Sequence, residues 1–229
     1  LGNVELCNNA YAATGALNHM AHQVVALKTA KTEAFLGVAA LMAEGIGADV
    51  YGHVQEKIAE IIVYLEAMRA FWTRAEEEAK ENAYGLLCPD RGALDGARNL
   101  YPRLYPRIRE ILEQIGASGL ITLPSEKDFK GPLGPFLEKF LQGAALEAKE
   151  RVALFRLAWD MTLSGFGARQ ELYERFFFGD PVSGNWYVRY SGGGTLTTNW
   201  GFAGAQPVPA DYDGDGITDF AVYAAEIGP

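Results

Sequence analysis

From Val4 to about Phe178, apolar side chains recur at three- and four-residue steps with few β-branched runs, which predicts a succession of α-helices. The pattern is clearest between Val50 and Glu81, where Ile58, Ile61, Ile62, Leu65, Met68 and Trp72 mark the core side of one helix. Its end, Arg74 to Lys80, is polar all round and reads as solvated. Ahead of it, a helix predicted over Ala10 to Gly45 is dense in Ala and Gly, so neighbouring backbones can approach closely and a central place in a bundle is expected. Cys88-Pro89-Asp90-Arg91-Gly92, Pro102 and, just after Tyr105, Pro106 interrupt the periodicity, predicting a long surface crossover between Tyr84 and Tyr105. Helices are expected again over Pro106 to Ile115 and Leu137 to Ser164. The second of these carries Leu146, Leu154, Phe155, Leu157, Ala158, Trp159 and Met161 around its axis and is expected to be largely buried. A short helix then ends on Gly179, a residue suited to the left-handed turn that closes a helix.

Beyond Gly179 the periodicity changes from helical to alternating. Trp186 to Tyr190, Thr195 to Trp200 and Phe220 to Tyr223 read as short strands, with Gly192-Gly193-Gly194 as a hairpin loop. The predicted fold is mainly α, an up-down helical bundle over residues 1–180 with a small C-terminal antiparallel β unit over 181–229. Two or three strands alone bury too little to be stable in water, so the β unit is expected to dock on the bundle or on another copy.

At 229 residues and 49% hydrophobic, the chain can build a substantial core. Its net charge of -9 and the lack of a basic stripe argue against a nucleic-acid partner, since phosphate binding needs clustered Lys and Arg. Cys7 and Cys88 are far apart without CxxC spacing, which suggests neither zinc nor a disulfide framework and fits reduced, cytoplasmic thiols in the helical part. No apolar run approaches the ~20 residues of a membrane span. The start at Leu1-Gly2-Asn3 has no signal-peptide pattern and reads as a cut end.

The sharpest local motif is Asp211-Tyr212-Asp213-Gly214-Asp215-Gly216-Ile217-Thr218-Asp219. Carboxylates of Asp211, Asp213, Asp215 and Asp219, with the Ile217 carbonyl, converge on one point if the loop coils at its glycines, and hard oxygen ligands suit calcium. The position where an EF-hand places its last carboxylate is Val222, so this is not an EF-hand; the plainer reading is an Asp-Gly-rich turn without metal. His19 and His22, three apart on the first helix, lack a Glu-x-x-His partner and read as core or pocket-lining side chains. Ser125 and Asp128 form a capping box, which leaves either a simple cap or amides attracting an anion. No Rossmann or Walker phosphate loop and no nucleophile elbow occurs.

Two resemblances follow from longer stretches. Residues 181 to 223, through Ser183 to Val188, Trp200-Gly201, Pro207 to Gly216 and Thr218 to Tyr223, resemble one blade of an FG-GAP or VCBS β-propeller repeat. Residues 3 to 180 resemble the C-terminal domain of the oxygenase components of 4-hydroxyphenylacetate 3-monooxygenases, of acyl-CoA dehydrogenase-like architecture. Asn8 to Gly15, Ala21 to Val25, Lys31 to Gly37 and Thr122 to Phe129 carry that resemblance. It implies a homotetramer through the bundle and one wall of a flavin groove, with Thr122, Pro124 and Ser125 placed against FAD. It also implies a separate flavin reductase, if the activity is retained, whose reduced FAD activates oxygen for ortho-hydroxylation of a phenol. By the same resemblance, the phenol pocket and most flavin contacts are expected in domains outside these residues. The two resemblances together suggest an engineered chimera, an oligomerising helical scaffold with a grafted blade of a secreted or surface type, without turnover of its own. The alternatives are a flavoprotein fragment that keeps FAD binding and a calcium-dependent binding module.

Overall fold

The computed structural model describes residues 3, 10, 13–174, 185–189, 195–199, 206–207 and 222–223. The long helices are α1 (Ala16–Gly45), α2 (Gly52–Glu77) and α3 (Arg91–Gly116), followed by a 3-10 turn (Ala117–Leu120) and the short helices α4 (Glu126–Lys130) and α5 (Gly134–Phe140). Helices α6 (Ala148–Thr162) and α7 (Gly165–Leu172) complete the bundle. The architecture is mainly α with small antiparallel β elements, as the periodicity predicts.

Helix α1 packs against α2, α3 and α6. Its small buried residues Ala21, Ala39 and Ala43 let those neighbours approach, while Val25, Phe35 and Met42 fill the spaces between them. From α2 the core receives Ile61, Leu65 and Met68, but Ile62 on the same stretch is exposed. Helix α2 ends at Glu77 and not Glu81 because Lys80–Glu81 (β1) turns back to pair with Leu87–Cys88 (β2). This hairpin sits on the start of α1. Gly15 holds φ at +78°, and a Cβ there would lie 2.3 Å from the Cys88 Sγ, so only glycine fits. Cys88 is buried and free; Cys7 lies outside the described residues.

The expected surface crossover between Tyr84 and Tyr105 is instead the first half of α3. Asp90 caps it by accepting a hydrogen bond from the Ala93 N–H at 2.8 Å, and Pro102 and Pro106 lie inside the helix. Each interior proline costs about 3 kcal/mol. Against that, Leu94, Tyr101, Tyr105, Ile108, Ile111 and Leu112 form one buried stripe, each large apolar side chain contributing about 1.5–3 kcal/mol. Tertiary burial therefore carries the helix through both prolines.

The helix expected over Leu137 to Ser164 is broken in two. Between α5 and α6, the Gly143 N–H donates to Leu146 O at 2.9 Å and the Ala144 N–H donates to Gly45 O at 2.9 Å, tying the break to the end of α1. Helix α6 buries Val152, Phe155, Ala158 and Thr162, whereas Leu157 and Trp159 on its outer side are exposed, so it is half-buried rather than enclosed.

A buried charge cluster fastens the residues after α7 to α1. Glu174 is buried, with Oε1 2.5 Å from the Lys31 Nζ and Oε2 3.4 Å from the Lys28 Nζ. Lys31 also donates to the Gln170 Oε1 at 3.0 Å, and the Lys28 ammonium lies 4.6 Å from the Tyr101 ring centroid.

Strand β3 (Asn185–Arg189) pairs antiparallel with β4 (Thr195–Asn199), Tyr187 opposite Thr197, and Gln206–Pro207 (β5) pairs with Val222–Tyr223 (β6). The first two strands fall where the alternation places them. Among the described residues, no helix is long and apolar enough to cross a membrane.

Candidate flavin-facing groove

The segment Ile121 to Ser125 connects the 3-10 turn to α4 and lies over α6. Its beginning is fixed locally: the Thr122 N–H and hydroxyl both donate to Ser118 O, at 3.2 and 3.1 Å. Its end is fixed by the capping box. The Asp128 carboxylate accepts from the Ser125 N–H and hydroxyl, each at 2.7 Å, and the Ser125 Oγ accepts from the Asp128 N–H at 3.4 Å. These hydrogen bonds from Ser125 hold the Asp128 carboxyl below the usual carboxylate range. The start of α4 thus carries a carboxylate of its own, and the motif acts as a cap rather than as an anion-attracting patch.

Between these two anchors, Leu123 and Pro124 are held from α6. The Arg156 Nη2 donates to Leu123 O at 3.1 Å and to Pro124 O at 2.8 Å. Pro124, Phe129, Val152 and Ala153 then form the apolar part of a groove of about 390 Å³, and Glu126, Lys130, Lys149 and Arg156 stand around it. Lys130 is paired with Glu126 at 2.5 Å and Lys149 with Glu138 at 2.7 Å. A smaller hollow of about 40 Å³ adjoins it through Pro124 and Val152 and is lined by Thr122, Leu123 and Phe155. The Phe155 ring is the floor: it is 2% exposed, and the Arg151 guanidinium lies 5.3 Å from its centroid.

Of the residues expected against a flavin, Pro124 lines both spaces and Thr122 the smaller one, while Ser125 fixes the turn beside them. Sequence reasoning passed over the α6 contribution. Lys149, Val152 and Arg156 are three and four residues apart and so share one helical face, a signal present in the sequence but masked by the apolar residues between them.

The histidines lie elsewhere. His19 and His22 line a separate hollow of about 200 Å³ with Glu76, Leu87 and Pro89. The His22 Nε2 is 2.9 Å from both the Trp72 Nε1 and the Glu76 Oε1. One ring nitrogen cannot accept from the indole and donate to the carboxylate at once, so only one contact forms in a given protonation state. Among the described residues no group of three or more His, Cys, Asp or Glu could hold a metal ion.

Residues 7–191 match the family profile of the 4-hydroxyphenylacetate 3-hydroxylase C terminal. The chain is 50% identical over 182 residues to the oxygenase component of 4-hydroxyphenylacetate 3-monooxygenase from Geobacillus sp. (strain PA-9), covering 79% of this chain and 37% of that protein. It is 44% identical over 171 residues to a probable 4-hydroxyphenylacetate 3-monooxygenase from Bacillus subtilis (strain 168), covering 74% of this chain and 35% of that protein. A crystal structure of the oxygenase component of 4-hydroxyphenylacetate 3-monooxygenase complexed with FAD and 4-hydroxyphenylacetate is 99% identical in sequence, with a TM-score of 0.76 over 80% of this chain and 38% of that one. The chain spans a little over a third of the length of the relatives it matches.

These matches correct the chimera reading. The profile runs unbroken through Gly179, Asp180 and Pro181 to residue 191, across the expected seam, so the chain is not a scaffold with a foreign propeller blade, nor an engineered fusion. The composition change at Asp180 falls between α7 and β3, inside the matched profile. The Asp211, Asp213, Asp215, Ile217 and Asp219 loop, read for calcium on its carboxylate spacing, lies outside the described residues and beyond the matched profile, and none of these matches supports calcium there.

Proposed function

Since the chain belongs to the 4-hydroxyphenylacetate 3-hydroxylase C-terminal family, we propose that it forms the helical wall of an FAD site in an aromatic-ring monooxygenase. The observation that carries this reading is the groove between the Leu123–Pro124 turn and α6. Its volume of about 390 Å³ lies in the range of ligand sites, and longer chains that are 99% identical over the matched residues have been crystallised with FAD. The donor set suits the group. Pro124, Phe129, Val152 and Ala153 offer apolar surface to flat rings, and Lys130 and Lys149 offer positive charge to a pyrophosphate.

FAD, when bound and reduced, supplies the activation of oxygen for transfer to a phenol. The part of this chain is to bind and orient. Pro124 and Phe129 would hold the cofactor from one side, Thr122 and Ser125 would keep the turn in place, and the buried Phe155 beneath would close the floor to water. The phenol is expected to meet the remainder of the oxygenase rather than these helices.

Titrating the chain into oxidised FAD tests this. Saturable quenching of flavin fluorescence is expected with a Kd in roughly the micromolar range, near −8 kcal/mol. A signal that stays linear to about 100 μM protein, with no saturation, would contradict the assignment.

A further inference from the structure

Resting on the flavin reading above, we propose that Arg156 is the positioning residue of the flavin-facing turn, acting on the cofactor by fixing Leu123 and Pro124. The turn is anchored locally at both ends, through Ser118 before it and Asp128 after it. Pro124 has no N–H to donate, so its own backbone can be tied down only through its carbonyl. That carbonyl and its neighbour Leu123 O both accept from the same Arg156 Nη2, at 2.8 and 3.1 Å. Two adjacent carbonyls converging on one charged nitrogen set the orientation of the peptide between them, and with it the face that Pro124 turns to the groove.

The guanidinium is itself held in register. Phe155 and Ala158 on either side of Arg156 in sequence are 2% and 0% exposed, which locks the rotation of α6 and places Arg156 at the groove edge beside Val152 and Lys149. Both bonds to the turn use Nη2. Because both ties come from one nitrogen, a lysine ammonium with its three donors can supply the charge and the ties, though on a side chain of different shape. Arg156 is exposed at the surface of α6, so its removal leaves the core intact.

The test compares the parent chain with R156M and R156K by FAD fluorescence titration and thermal unfolding. R156M is expected to bind FAD about tenfold more weakly, through the loss of both charge-assisted ties to the turn. R156K is expected to recover to within about threefold of the parent. Both should melt with the parent. Equal FAD affinity in R156M and the parent overturns the inference and leaves the flavin reading standing. A melting temperature that falls along with affinity also overturns it, by making Arg156 a residue of the fold. Absence of binding by the parent overturns the flavin reading itself.

Discussion

Replacing Glu174 with Gln lowers the unfolding free energy by about 3–5 kcal/mol near neutral pH, as expected when one partner of a buried ion pair is removed. Glu174 and Lys28 are each 1% exposed in their side chains, and Lys31 is 18% exposed, so the variant leaves two ammonium groups in a desolvated site without their shared carboxylate. The Tyr101 and Tyr105 rings face those ammoniums at 4.6 and 5.5 Å and return only part of the lost attraction. The loss depends on pH in a direction set by Lys28. Burial pulls its ammonium down from 10.5 to about 8, with Glu174 pulling the other way. Below that value both the folded and unfolded chains carry the charge. Between about 8 and 10.5 the unfolded chain binds the proton that the folded chain has released, so this group makes stability rise with pH. Once Lys28 is neutral it no longer attracts Glu174, and the gap between parent and variant narrows. Urea unfolding of both proteins at about pH 7 and about pH 9.5 checks the size and the narrowing. A loss below about 1 kcal/mol at neutral pH would mean that the cluster does not hold the residues after α7.

Phe155→Ala is expected to cost about 3–5 kcal/mol and to weaken FAD binding along with stability. The ring belongs at once to the central core and to the floor beneath Thr122 and Leu123. On one side it meets Gly119, where a Cβ would stand 3.1 Å from the Phe155 ring; on another the Arg151 guanidinium covers it. Removing the ring opens a cavity between α6 and the 3-10 turn that the short, tightly tied segment cannot collapse to fill. Urea titration should show a lower midpoint with an unchanged slope. If stability falls and FAD affinity does not, the floor of the small hollow plays no part in the groove.

What the sequence made legible follows the range of each interaction. The helices α1 and α2 were readable because their stripes repeat within a few residues, and β3 and β4 because alternation is equally local. Helix α3 was not. Pro102 and Pro106 speak against it at short range, and only the packing of Tyr101, Tyr105 and Ile108 against α1 and α2 outweighs them. The break at Gly143 likewise depends on Gly45, far away in the chain, receiving the Ala144 N–H.

The site shows the same division. The Ser125–Asp128 cap is a four-residue pattern and was found; its meaning was not, since the carboxylate that completes the cap also cancels its pull on anions. The groove needs α6, and the tie from Arg156 to Leu123 and Pro124 spans 33 and 32 residues, beyond any local pattern. Glu174 and its lysines are more distant still. The composition change at Asp180 misleads for the opposite reason: it is sharp and local and suggests a change of ancestry, yet the profile match crosses it.

FAD is expected to meet this chain at the turn from Ile121 to Ser125. Amide hydrogen exchange with and without FAD addresses it residue by residue. Exchange at Thr122, Leu123 and Ser125 is expected to slow by roughly tenfold on adding FAD, while the amides around His19 and His22 stay unchanged. Unchanged exchange at the turn, with protection appearing at the His19–His22 hollow instead, would contradict it.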